Sequence, residues 1–334
     1  MKLRRILCAI LAFTLLALSG CNAQPLNQTE DQTPTPPAEA PNESETENGN
    51  ETEGNTDASV DDTTELPNEN TPNEDTSTKE EDEVKEEEKT PEKKSYSILF
   101  IGNSYTYYND MPTTIFKKIV EAAGHSAEVN AITCGGYTLS QFADPTDTYG
   151  KQVEEALTGA KKYDFVILQE QSVRPASSKA NEFYDAVRNL AERIRATGAT
   201  PILYSTWGRK TGSDTLSTYN FTNESMTWKL AASYQAIGDE LSIPVVHVGL
   251  AFYDIYTNSK IELYNSDKSH PSIAGSFLAA VCLYAEIYDV DPTSLSFRTT
   301  GVTTRDMATL FAAAKTAVFS TPEIPAEYRI DLSK

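Results

Sequence analysis

The sequence predicts an α/β fold, a three-layer α/β/α sandwich built on a five-stranded parallel sheet. Three observations predict it. Five short apolar runs punctuate the chain from Ser95 onward, each followed by a loop and most by a helical pattern. Two of them, at 165–168 and 201–204, are almost continuously apolar, as strands covered on both faces must be. The 240 residues from Ser95 to Lys334 suffice for one sizeable α/β domain with a well-buried core.

The elements follow in order. The first strand is expected at 97–101 and runs into Gly102-Asn103-Ser104-Tyr105. Ile115, Phe116, Ile119, Val120 and Ala123 then recur at helical spacing, after a start marked by Asp110 and Pro112. The second strand, 127–132, ends in Thr133-Cys134-Gly135-Gly136-Tyr137. The third, 165–168, ends in Gln169-Glu170-Gln171-Ser172. A helical stripe of Phe183, Val187, Leu190 and Ile194 stops at Gly198, before the fourth strand at 201–204. Met226, Leu230, Tyr234, Ile237 and Leu241 form the next stripe, before a fifth strand at 244–248. A last strong helix begins at Pro271 and runs to about Tyr288. Strands alternating with helices make βαβ units, hence a flavodoxin-like parallel sheet with helices on both faces. No internal repeat is found, and the pattern assigns no role to the extension 291–334, including its helical stretch 306–319.

The segment before this domain has a different composition. Lys2, Arg4 and Arg5 precede an uncharged apolar run at 6–18, too short for an ordinary membrane span and placed where a signal peptide sits. Leu18-Ser19-Gly20-Cys21 resembles the lipobox of bacterial lipoproteins, which implies cleavage before Cys21 and lipidation of its sulfur. An ordinary secretory signal with an incidental cysteine is the alternative. Several acyl chains on Cys21 would hold the protein stably on a membrane, on its extracytoplasmic face. Residues 22–94 carry 23 acidic and 5 basic residues, a net of −18, with no aromatic. Such a stretch cannot offset its ordering entropy by burial, so an extended, disordered tether is expected. A bound cation or a basic partner is the other use of its charge.

Of the whole chain's net −21, only −6 belongs to the residues from Ser95 on. An acidic domain without a basic cluster argues against nucleic acid. Cys134 and Cys282 are the only cysteines after Cys21, too few and too far apart for a disulfide scaffold or a metal site. Free thiols are expected, with a single disulfide as the alternative.

Parallel α/β sheets bind ligands at the carboxyl ends of their strands, and the polar motifs fall there. Ser104 follows the first strand near a helix start, whose N–H groups favour developing negative charge. Gly135 and Gly136 follow the second; paired glycines allow close backbone approach or merely a tight turn. The amides of Gln169 and Gln171 follow the third, where one can donate to a reacting oxygen. Alternatively they satisfy loop backbone while Glu170 pairs with Arg174. After the fifth comes Asp267-Lys268-Ser269-His270, in which a carboxylate three residues upstream can fold back onto the imidazole. A serine needs a base, the base an orienter, and the oxyanion fixed donors.

These blocks resemble the SGNH hydrolase superfamily, whose first block is Gly-Asp-Ser after the first strand and whose last is Asp-x-x-His. The resemblance spans residues 95–290 and implies Ser104 as nucleophile, His270 as base and Asp267 as its orienter. It further implies an oxyanion hole from the N–H groups of Ser104 and Gly136, with Gln171, or else Gln169, as third donor. The chain departs from the pattern at Asn103, in place of aspartate, and in the third block, which is similar to the glutamine-containing block of carbohydrate acetylesterases.

The expectation is therefore a surface-anchored serine esterase acting on small acyl esters, chiefly O-acetyl groups of carbohydrate, with no metal or organic cofactor. His125 reads as a surface residue at a helix end and His247 as a core or crevice residue. Tyr105, Tyr107, Tyr108, Tyr137 and Trp207 are candidates for stacking on sugar rings. Other readings are a flavodoxin-like module that binds phosphate, a degenerate SGNH domain that binds glycans uncleaved, and a thioesterase or lipase. The Gly-x-Ser-x-Gly elbow of α/β-hydrolases is absent.

Overall fold

A computed structural model describes residues 92–332. The expected signal segment with Cys21, and the tether as far as residue 91, lie outside the described residues. Five strands form the sheet: β1 (Ser95–Gly102), β2 (Ser126–Thr133), β3 (Phe165–Leu168), β4 (Thr200–Tyr204) and β5 (Val245–Val246). They pair in parallel in the order β2-β1-β3-β4-β5. The connection reverses direction between β1 and β3, which opens a crevice at their carboxyl ends.

Helices α1 (Ser104–Tyr107), α2 (Lys117–Ala122), α3 (Leu139–Ala143), α4 (Thr148–Thr158) and α5 (Ala180–Ala196) follow the first three strands. They are joined by α6 (Asp214–Tyr219), α7 (Asn223–Leu241), α8 (Val248–Asn258), α9 (Ile273–Tyr288) and α10 (Thr304–Phe319). Alternation along the strands sorts these helices into two layers. Ile98, Phe100, Ile167, Ile202 and Tyr204 share one core with residues of α2, α8, α9 and α10. Leu99, Ile101, Val166, Leu168 and Leu203 share the other with residues of α3, α4, α5 and α7. Two covered faces explain why the strands read as continuous apolar runs rather than alternating ones. Burying each large aliphatic side chain contributes about 1.5–3 kcal/mol.

Two expectations are altered. The fifth strand is shorter than 244–248, because His247 turns the backbone (φ −80°, ψ 60°) and caps α8 from Val248. Gly249 N donates to Ser205 O at 3.1 Å, so the chain turns back onto the end of β4 instead of extending the ladder. The helix expected after Asp110 and Pro112 begins as a π-helical turn, Met111–Phe116, before α2. Asn109 and Asp110 ahead of it are both left-handed (φ 57° and 51°). Asn109 Nδ2 donates to Pro271 O (3.1 Å) and Ser276 Oγ (2.8 Å), which ties this bend to the start of α9.

The extension that sequence pattern left without a role completes the core. Its α10 buries Met307, Leu310, Phe311 and Ala314, with Phe311 against Phe277 of α9. Cys134 and Cys282 are both free thiols, half-buried and buried respectively. No helix among the described residues is long and apolar enough to cross a membrane.

Candidate active site

Of the residues singled out at the sheet's carboxyl edge, Ser104, His270 and Asp267 meet beside the end of β1. Gly102 ends β1 where a Cβ would collide with Thr106 Oγ1 and Gln169 Oε1, so only glycine lets the turn close this tightly. Asn103 then caps α1: its Oδ1 accepts from Tyr105 N at 3.1 Å, while its Nδ2 donates to Tyr137 O at 2.9 Å. The second bond accounts for asparagine in place of aspartate, since a carboxylate has no proton to offer a carbonyl. Helix α1 has only four residues, so the dipole expected behind Ser104 is that of a single turn.

Ser104 Oγ lies 2.8 Å from His270 Nε2, and His270 Nδ1 lies 2.5 Å from Asp267 Oδ2. The other carboxylate oxygen, Asp267 Oδ1, accepts from Ser269 N (3.0 Å) and His270 N (2.9 Å). This closed turn passes through Lys268 in the left-handed region (φ 60°) and is held from outside by Asn265 N donating to His270 O at 2.8 Å. Partial burial raises the Asp267 pKa, but hydrogen bonds from the His270 ring and the two backbone amides outweigh it and hold the carboxyl below its ordinary value.

Aromatic residues fix the histidine. Tyr108 stacks flat on the His270 ring (centroids 4.3 Å apart, 12° between planes), and Tyr105 meets it edge-on at 5.6 Å. Tyr105 is itself stacked on Trp207 at 4.5 Å, and Trp207 on Phe252 at 4.0 Å. Trp207 Nε1 donates to Ser269 O (3.1 Å), and the Tyr105 hydroxyl lies 3.0 Å from Ser269 Oγ. Two expected sugar-stacking residues are thereby corrected: Tyr105 and Trp207 are buried, and their faces are used inside the protein. Tyr107 is exposed, and Tyr108 and Tyr137 are half-buried. Sequence reasoning gave Ser269 and Asn109 no role of their own, because only the fold brings their partners to them.

The expected oxyanion donors separate into different roles. Gly136 is exposed in the left-handed region (φ 73°), with open space around the position of a Cβ. Neither Ser104 N nor Gly136 N donates a hydrogen bond to another described residue. Gln169 is fully buried and engaged at both ends of its amide: Oε1 accepts from Asn103 N (2.9 Å) and Thr106 Oγ1 (2.8 Å), and Nε2 donates to Glu170 O. Gln171 uses Oε1 to accept from Val173 N (3.0 Å) and Arg174 N (3.1 Å), while its Nε2 makes no bond to a described residue.

The other two histidines lie elsewhere. His247 is buried, with Nε2 2.8 Å from Gln235 Oε1, and burial depresses its pKa to about 4. His125 is half-buried, stacks on Tyr288 at 4.9 Å and accepts from Lys94 N at 3.2 Å, so it secures the start of β1. Among the described residues, no three His, Cys, Asp or Glu side chains converge as metal ligands would.

No family model matches the sequence, and no curated protein matches it. Among solved structures, a protein from Slackia heliotrinireducens described as an SGNH hydrolase is 31% identical, matching 57% of this chain and 97% of its own, with a TM-score of 0.51. A DUF4886 family protein from Bacteroides uniformis gives a TM-score of 0.57 over 69% of this chain and 97% of its own. At 16% identity, that second likeness concerns the fold alone. With nearly the whole of the Slackia heliotrinireducens protein matched at that identity, the chain belongs to the SGNH hydrolase superfamily.

Proposed function

We propose that this protein is a serine esterase that removes small acyl groups, chiefly O-acetyl, from carbohydrate by a Ser104–His270–Asp267 mechanism. The observation that carries the reading is the continuous hydrogen-bonded path from Asp267 Oδ2 through His270 to Ser104 Oγ, at 2.5 and 2.8 Å. In this mechanism Ser104 Oγ attacks the ester carbonyl while His270 Nε2 accepts its proton. Asp267 accepts from Nδ1 throughout, which keeps Nε2 unprotonated before attack and stabilises the imidazolium after it. The N–H groups of Ser104 and Gly136 face the developing oxyanion, with Gln171 Nε2 as the third donor. His270 then returns the proton to the leaving alcohol. A water, deprotonated by the same imidazole, hydrolyses the acyl-serine.

Carbohydrate as the alcohol is supported by the exposed ring of Tyr107, which stacks on Tyr108, itself lying flat on His270. Acetate release from p-nitrophenyl acetate, and then from a panel of acetylated polysaccharides, tests the reading against Ser104→Ala. Turnover confined to the wild type is the expected result. A folded wild type that only binds the glycans, with no release above the variant, would make this a glycan-binding protein instead.

The same proposal anchors the enzyme outside the cell through lipid on Cys21, with the acidic segment 22–94 as spacer. In a bacterial host, Cys21→Ser is expected to move the protein from the membrane fraction to the soluble one. Retention in the membrane fraction would rule this anchor out.

A further inference from the structure

Glu170 is an acidic side chain with no accessible surface, set at the carboxyl end of β3 between the two glutamines. Both of its oxygens lie 3.2 Å from Leu139 N, and Oε1 also accepts from Gln171 N at 2.6 Å. Leu139 opens α3 at the end of the loop that carries Gly136, while Gln171 starts the loop after β3. One carboxylate therefore joins the two loops whose groups face the substrate oxyanion in the mechanism above. Everything that points at it is a donor: two backbone amides and, at 4.0 Å, Arg174 Nε. Its own amide N–H donates to the Tyr234 hydroxyl at 2.9 Å.

We propose that Glu170 is a positioning residue for the hydrolysis: its ionised carboxylate brackets the Gly136 loop to the Gln171 loop and sets the spacing of the oxyanion donors. The inference rests on the esterase reading of Ser104. An ionised carboxylate offers acceptors only, which matches a ring of donors. A protonated acid, or an amide, sets a donor of its own against Leu139 N at the Oε2 position and leaves Oε1 alone to hold both loops, which loosens the bracket. Burial drives the carboxyl pKa up to about 7, against the lowering effect of Gln171 N, Leu139 N and Arg174. The titratable groups around it are Arg174, Glu182 on the far side of that guanidinium, and the Tyr234 hydroxyl. The bracket is thus tightest on the alkaline side of neutrality and loosens as the pH falls through about 7.

Stability runs the other way. The folded-state pKa of about 7 lies above the ordinary value of 4.5, so the contribution to stability is full below 4.5 and lost as pH rises to about 7. Glu170→Gln is therefore expected to be at least as stable as wild type under alkaline conditions, and a loss of activity there is not a loss of fold.

The test measures kcat and KM for p-nitrophenyl acetate from about pH 5 to about pH 9, with thermal unfolding alongside. The proteins compared are wild type, Glu170→Gln, Glu170→Asp and, as blank, Ser104→Ala. Above neutrality, Glu170→Gln is expected to lose about 10–100-fold in kcat with little change in KM, as befits misplaced groups that act only in the transition state. The acid limb of log kcat/KM should fall more steeply in the wild type, where Glu170 must be ionised, than in Glu170→Gln, which has no carboxylate to protonate there. A variant with wild-type kcat, or with the wild-type slope, overturns the assignment while leaving the esterase intact. Wild-type turnover no higher than that of Ser104→Ala overturns the esterase reading and this inference with it.

Discussion

Replacing either Ser104 or His270 with alanine is expected to lower kcat for ester hydrolysis by about a millionfold, and replacing both is expected to cost no more than either alone. The reason lies in the 2.8 Å contact between Ser104 Oγ and His270 Nε2. A serine hydroxyl is a weak nucleophile until a base takes its proton, and an imidazole with no hydroxyl to deprotonate has no part in acylation. Each variant thus loses the same event. The fold should tolerate both changes, because Ser104 sits on the first turn of a four-residue helix and His270 at a crevice, neither of them in the sheet's two cores. Steady-state rates for the two single variants and the double variant decide the matter. Losses that add up across the double variant would mean that the two residues act in separate steps, contrary to the mechanism.

Asp267→Asn is expected to lower kcat by about ten-thousandfold with little effect on folding. The asparagine Oδ1 can still accept from Ser269 N and His270 N, which Asp267 Oδ1 holds at 3.0 and 2.9 Å, so the turn keeps its shape. Its amide group, however, faces His270 Nδ1 where Asp267 Oδ2 stood at 2.5 Å. An N–H there favours the imidazole tautomer with the proton on Nε2, which cannot accept one from serine. Were Asp267→Asn kinetically silent, another carboxylate would have to orient the ring. Glu170 is not placed for it, since its oxygens are committed to Leu139 N and Gln171 N. A rate near that of the wild type would therefore count against the proposed mechanism as a whole. The lowered Asp267 pKa gives the sign of its pH effect: its contribution to stability is present above its unfolded-state value and is lost as pH falls through the folded one.

Much of the fold was legible because apolar runs and helical stripes are local signals. The run 165–168 became β3 without adjustment, and the stripe through Phe183, Val187, Leu190 and Ile194 became the buried face of α5. The π-helical turn at Met111–Phe116 was not legible. Ile115 and Phe116 keep a helical spacing there, while the bend before them is imposed by Asn109 reaching Pro271 O and Ser276 Oγ, more than 160 positions away. The two glutamines show the same limit inside the site. Side-chain type alone allowed either one as an oxyanion donor, and only the contacts of Gln169 with Asn103 N and Thr106 Oγ1 show that its amide is already spent on holding the nucleophile's loop.

By itself the sequence determined the parallel α/β class, the covered strands and the polar motifs at the strand ends, since each depends on residues within a few positions of one another. The order β2-β1-β3-β4-β5, the burial of Tyr105 and Trp207, the placing of α10 in the core and the bracket made by Glu170 were decided only by the tertiary structure. Each of those depends on surfaces and donors contributed by distant segments, and the chain declares such partners only when it has packed.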